Sequence, residues 1–130
     1  MPKPLLLDIV TFLTANNVVK GDGIDAFRDY VPPMPDDIVY LTEYQGSPPL
    51  FYEPAVHRSV QVSVRDKNAD AARRKALEIC KLLQTDSTRV DFTEERWGTV
   101  SIRQTPFKLK TDDSGRVTYA FNIGITTNIE

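Results

Sequence analysis

Residues Val60–Leu83 read VQVSVRDKNADAARRKALEICKLL, and two periodicities meet in them. The opening VQVSVR alternates strictly. Strand side chains point to alternate faces, so Val60, Val62 and Val64 share one side. Ser59, Gln61, Ser63 and Arg65 share the other. One face is built for a core; the other is small, polar and weakly charged, which suits docking better than chemistry. Past the turn the period becomes helical. Ala69, Ala72, Ala76, Ile79, Cys80 and Leu83 recur three or four residues apart and form a buried stripe. Arg74, Lys75, Glu78 and Lys81 face away. Asn68 suits the N-cap, Asp70 suits the positive end of the helix dipole, and Thr85–Thr88 ends the helix.

The strand design repeats downstream. Over Trp97–Gln104, Val100 and Ile102 oppose Thr99, Ser101 and Arg103. Pro106 breaks or kinks this strand, and Phe107–Lys110 pairs again before the turn Asp112-Asp113-Ser114-Gly115, a hairpin signal. Arg116–Thr126 is the last strand. Val117, Tyr119, Phe121, Ile123 and Ile125 share one side; Thr118, Ala120, Asn122, Gly124 and Thr126 share the other.

Upstream, Pro4–Asn16 reads as a helix with Leu5, Ile9, Phe12 and Leu13 on one face. Leu6 and Val10 widen that face, and Leu7 lies nearly opposite. Either this helix is deeply buried in its own chain, or it makes a second contact with another subunit. Val18–Asp37 reads as irregular and acidic: Lys20 and Arg28 oppose Asp22, Asp25, Asp29, Asp36 and Asp37, a net of −3. Asp25–Tyr30 forms at most a short helical turn, and Pro32, Pro33 and Pro35 exclude regular structure beyond it. Ile38–Tyr44 and Val56–Arg65 read as strands, joined by the proline-stiffened connection Gln45–Pro54. Leu50, Phe51 and Tyr52 on that connection either fold back on the core or meet a partner.

These elements predict one α+β domain over residues 1–130. The expected architecture is a two-layer sandwich: a largely antiparallel sheet of about four strands, with two helices on one face and the other face open. A chain of 130 residues suits a single core. Its net charge of −2 argues against a nucleic-acid-binding face. No stretch reaches the ~20 apolar residues that span a bilayer. The apolar start MPKPLLLDIVTFL is interrupted by Asp8, so it reads as an amphipathic helix and not as a leader peptide. The single cysteine allows no internal disulfide.

Chemistry-bearing motifs are sparse. His57 lies on the polar side of a strand without a partner of recognisable spacing, and reads as a surface histidine. Cys80 sits on the buried stripe and reads as a small apolar group. Asp36-Asp37, Glu94-Glu95 and Asp112-Asp113 lack the alternating acidic positions of a calcium loop and read as solvated loop charges. Gly21-Asp22-Gly23 lacks the context of a phosphate loop, and Arg73-Arg74-Lys75 reads as a solvated helix face. The open face of the strands at Val56–Arg65 and Arg116–Thr126 carries no aromatic for base stacking, and Trp97 alone can lie near it. These residues point to no enzyme, no metal and no cofactor.

The order and spacing of VQVSVRD, NADAARRKALEICKLL, TDDSGRVTYAFNIGITT and the N-terminal LLLDIVTFL resemble the tail terminator, or minor capsid, proteins of long-tailed bacteriophages. These are also called tail completion or tail-to-head joining proteins. The resemblance covers most of the chain and is weakest over Pro32–Pro54. It implies a structural virion protein of the neck, assembled in the host bacterial cytoplasm, that uses no cofactor. Such a protein forms a ring, commonly a hexamer, that caps the tail tube, ends its polymerisation and joins it to the head. The implied partners are further copies of the chain, the major tail tube protein and the head connector or completion protein. DNA passes the channel without specific binding, and no membrane is involved. A head-completion or stopper protein is the nearest alternative. A ligand-binding α/β module, with a pocket between the Pro32–Pro54 loop and the sheet using Tyr40, Tyr44 or His57, is a more distant one. Asp112, Asp113 and Ser114 at the hairpin tip, and Pro48, Pro49 and Leu50 on the connection, are expected to project and make axial contacts.

Overall fold

The computed structural model describes residues 4–44, 56–84 and 89–129. In chain order the elements are α1 (Leu5–Ala15), β1 (Ala26–Arg28), β2 (Ile38–Tyr44), β3 (Val56–Asp66), α2 (Ala69–Leu83), β4 (Val90–Asp91), β5 (Trp97–Thr111) and β6 (Val117–Thr127). Asn68 caps α2 as its sequence predicts: its side chain accepts the Ala71 N–H at 3.1 Å. Asp70 and Lys81 complement the two ends of the helix dipole. Asn17, at φ +61°, ends α1, and the Val18 N–H closes onto the Leu13 carbonyl at 3.0 Å.

The sheet departs from the expected four-stranded antiparallel sandwich, although the broad α+β class stands. It has six strands in the order β1-β2-β3-β6-β5-β4. It is mixed, because β1 runs parallel to β2 while the other neighbours are antiparallel. It also curls into a half-barrel. The expected helical turn at Asp25–Tyr30 is instead the short strand β1, too brief for any alternation to show. Pro106 does not end its strand. β5 continues to Thr111 and absorbs three register shifts against β6, two of them between Gln104 and Lys110. Proline is tolerated at a bulge on an edge, where its missing N–H breaks no ladder, and each extra residue bends the strand.

Val60, Val62 and Val64 meet Phe121, Ile123 and Ile125 in one core, roofed by Ala72, Ala76, Ile79 and Leu83 of α2. The same core takes Leu5, Leu6, Ile9, Val10 and Leu13 of α1, all buried in their own chain. Burying each such side chain is worth about 1.5–3 kcal/mol, so internal burial alone accounts for the broad apolar face of α1.

One buried ion pair ties α1 to the far side of the chain. Arg96 is 0% exposed, and its Nε lies 2.6 Å from Asp8 Oδ2. Arg96 Nη1 also donates to the Ile129 carbonyl at 2.9 Å, and Thr127 Oγ1 lies 3.4 Å from it. Asp8 interrupts the apolar helix because it is the counter-ion for this arginine. Arg96→Ala leaves the Asp8 carboxylate buried without its partner, and is expected to cost about 3–5 kcal/mol in urea unfolding. The paired replacement Asp8→Leu/Arg96→Met is expected to recover most of that loss; equal destabilisation by both variants would disprove the charge argument.

Candidate functional site

The second face of the sheet is polar and built in rows. Strand register sets Thr42, Gln61, Asn122 and Gln104 side by side across β2, β3, β6 and β5. Gln61 Nε2 donates to Asn122 Oδ1 at 3.1 Å, and Asn122 Nδ2 donates to Gln104 Oε1. The bulge after Ile102 puts both Arg103 and Gln104 on this face. Arg103 donates to Ser59 Oγ and lies over Gly124, where an added Cβ would sit 2.6 Å from Arg103 Nε. Further along, His57 Nδ1 and Thr126 Oγ1 are 2.9 Å apart.

This face is not open from end to end, as the alternation implies. The β1–β2 connection crosses it at the Arg65 end. Arg65 donates to the carbonyls of Pro35 at 2.7 Å and Asp36 at 3.1 Å, and Arg116 donates to the Pro33 carbonyl. Ser63, Thr118 and Ala120 are consequently buried. Burial, then the nearby Arg116 charge, lowers the Arg65 pKa, while the carboxylates of Asp112 and Asp36 oppose the shift. Between the connection and the hairpin a groove of about 290 Å³ remains, bordered by Val31, Pro33, Lys110 and Arg116. The half-exposed middle row offers amide hydrogen bonding.

The hairpin tip splits into two roles. The Gly115 N–H closes the turn onto the Asp112 carbonyl at 3.0 Å, and Gly115 takes φ +81°, a conformation that favours glycine. The Asp112 carboxylate is committed inside the turn: it accepts the N–H groups of Ser114 and Arg116 and lies 2.8 Å from Arg116 Nε. Asp113 and Ser114 are exposed beyond it. Pro48, Pro49 and Leu50 lie outside the described residues, as do Phe51, Tyr52 and Thr85–Thr88.

The other sequence candidates stay separate. Cys80 is buried, and burial pushes its thiol pKa up, away from a reactive thiolate. Asp36 lies 3.3 Å from Lys67 Nζ and 3.5 Å from Arg116 Nη1. Glu94 and Glu95 are exposed, and Lys75 donates to the Val18 carbonyl. Among the described residues no group of three or more His, Cys, Asp or Glu side chains is placed to hold a metal ion. Tyr40 and His57 do not share a pocket. Tyr40 pairs with Ser63, and that position lies six residues, or about 20 Å, along β3 from His57. Trp97 stands on β5 opposite Asp91 of the edge strand β4, with the Arg89 guanidinium 4.6 Å from its ring centroid. Alternation within β3 and β6 missed Tyr40 and Phe107, which neighbouring strands bring beside Ser63 and Ala120.

Residues 12–129 match the family model described as "Bacteriophage tail terminator protein". No curated protein matches the chain.

The tip geometry predicts a titration. The backbone N–H of Arg116, ahead of its side chain, holds the Asp112 pKa below its ordinary value. A depressed carboxyl pKa stabilises the turn above the ordinary aspartate range, and this contribution disappears as pH falls through the lowered value. NMR titration is expected to show Asp112 titrating below the ordinary aspartate range. Arg116→Ala is expected to restore only part of the shift, because the backbone donor remains; an Asp112 that titrates at the ordinary aspartate value in the parent chain would contradict the geometry.

Proposed function

The chain belongs to the bacteriophage tail terminator family, and we propose that it caps the tail tube as a ring, ends tube growth and presents a surface to the head connector. Family membership over most of the chain makes it a virion component and carries this reading. The ring is hexameric, as the resemblance of the sequence implies, and assembles in the host bacterial cytoplasm. Its role is structural. A polar sheet face, with its hydrogen-bonding groups largely paired with one another, suits a scaffold more than a catalyst. A net charge of −2 suits a channel that lets DNA pass without gripping it.

Axial contacts fall to the tip of the β5–β6 hairpin. Asp112 fixes its shape, and Asp113 with Ser114 forms the exposed end. Co-assembly with the major tail tube protein tests the role directly. Tubes grown with this protein are expected to stop at a limited length, and an unchanged length distribution would refute termination. Asp113→Lys is expected to lower the yield of capped tubes by about tenfold, equivalent to about 1.4 kcal/mol, with an unchanged circular dichroism spectrum. Wild-type yield from that variant would remove the tip from the contact.

A further inference from the structure

The sheet has two edges, and their side chains carry opposite charge. At one end, β5 pairs with β4 only at Trp97 and Gly98. Among the described residues, the rest of its outer edge meets no strand. Lys108 and Lys110 give this edge of β5 a positive charge with no carboxylate, Arg103 being turned inward onto Ser59, and Leu109 is 40% exposed. At the other end lies β1 with its flanking turns. There Asp22, Asp25 and Asp29 outnumber Arg28, a net of −2 over residues 22–30. Arg28 pairs with Asp22 at 3.0 Å, and the Asp25 carboxylate accepts the Lys20 and Gly21 N–H groups. This leaves Asp29 as the outward carboxylate and the net charge unchanged. Ile24 and Tyr30 beside it are 59% and 60% exposed.

Edge lysines by themselves have a simpler use, since they discourage strands from pairing. That use explains neither the acidic charge nor the large exposed apolar side chains at the opposite edge. β2, β3 and β6 separate the two edges. We infer that the β1 edge of one copy docks against the β5 edge of the next, carboxylates facing lysines, with Ile24 and Tyr30 covered by the contact. The occupant of each edge is thus a second copy of this chain, indicated by charge complementarity. Such a head-to-tail contact uses two different surfaces, and it yields a closed ring when the rotation between copies closes. The contact runs through side chains, because Pro106 and the register shifts of β5 spoil a continuous backbone ladder. This inference rests on the ring reading above and specifies its joint.

Charge exchange tests it. Ring content is read by sedimentation and electron microscopy, on tube ends and in free solution. Asp22→Lys/Asp29→Lys makes both edges basic, and Lys108→Glu/Lys110→Glu makes both acidic. Each variant alone is expected to need at least about tenfold more protein to form rings, because like charges then face each other. The chain carrying all four substitutions has its charges exchanged and is expected to regain rings, which also shows that the substitutions are compatible with folding. An equal mixture of the two double variants is expected to form alternating rings. Wild-type rings that survive both double variants unchanged would overturn the edge assignment alone. So would failure of both the fourfold variant and the mixture to recover. Wild-type protein that caps tubes as single copies would instead overturn the ring reading.

Discussion

An unbroken antiparallel register between β3 and β6 organises the whole chain. It runs from Val56 opposite Thr127 to Asp66 opposite Val117 without a bulge. Because side chains alternate, this one alignment puts Val60, Val62 and Val64 beside Ile123, Phe121 and Tyr119, and Ser59, Gln61 and Ser63 beside Gly124, Asn122 and Ala120. A slip of one residue would send every valine to the polar face. Both helices pack on the apolar side, and the amide ladder forms on the other. The central pair is therefore the reference for each later element.

Two sets of arginines complete what the strands begin. Arg96 is buried with Asp8, and joins α1 to the segment before β5 and to the chain end. Arg65 and Arg116 hold the carbonyls of the β1–β2 connection against the polar face. Fixed donor forks here satisfy backbone acceptors that regular structure leaves without partners. The half-barrel is thus closed at one end by a loop and left half-exposed in the middle. Its hairpin tip leaves Asp113 and Ser114 exposed.

Much of this was legible in the sequence, and what was not has physical causes. Val60–Leu83 showed its strand, cap and helix because each has many residues in one period. The hairpin turn at Asp112–Gly115 was legible from residue types alone. β1 and β4 are too short to express a period and exist through their neighbours. Pro106 read as a break because its penalty applies to a paired ladder, and a bulged edge avoids it. The covered end of the polar face depends on long-range contacts from Arg65 and Arg116 to Pro33, Pro35 and Asp36, which no local pattern encodes. The tip residues were identifiable as projecting, yet the internal commitment of Asp112 and the exposure of Asp113 required coordinates.

The uneven length of β5 has a consequence for growth. An edge strand with free hydrogen-bonding groups is a template for further strands. A straight, evenly spaced edge would accept another strand, and that strand would offer the next edge, without limit. β5 instead packs surplus residues against β6, so its outer hydrogen-bonding groups fall out of step with any regular strand. Strand-by-strand addition at this edge is thereby disfavoured. The same irregularity that bends the sheet also closes its edge to a further strand.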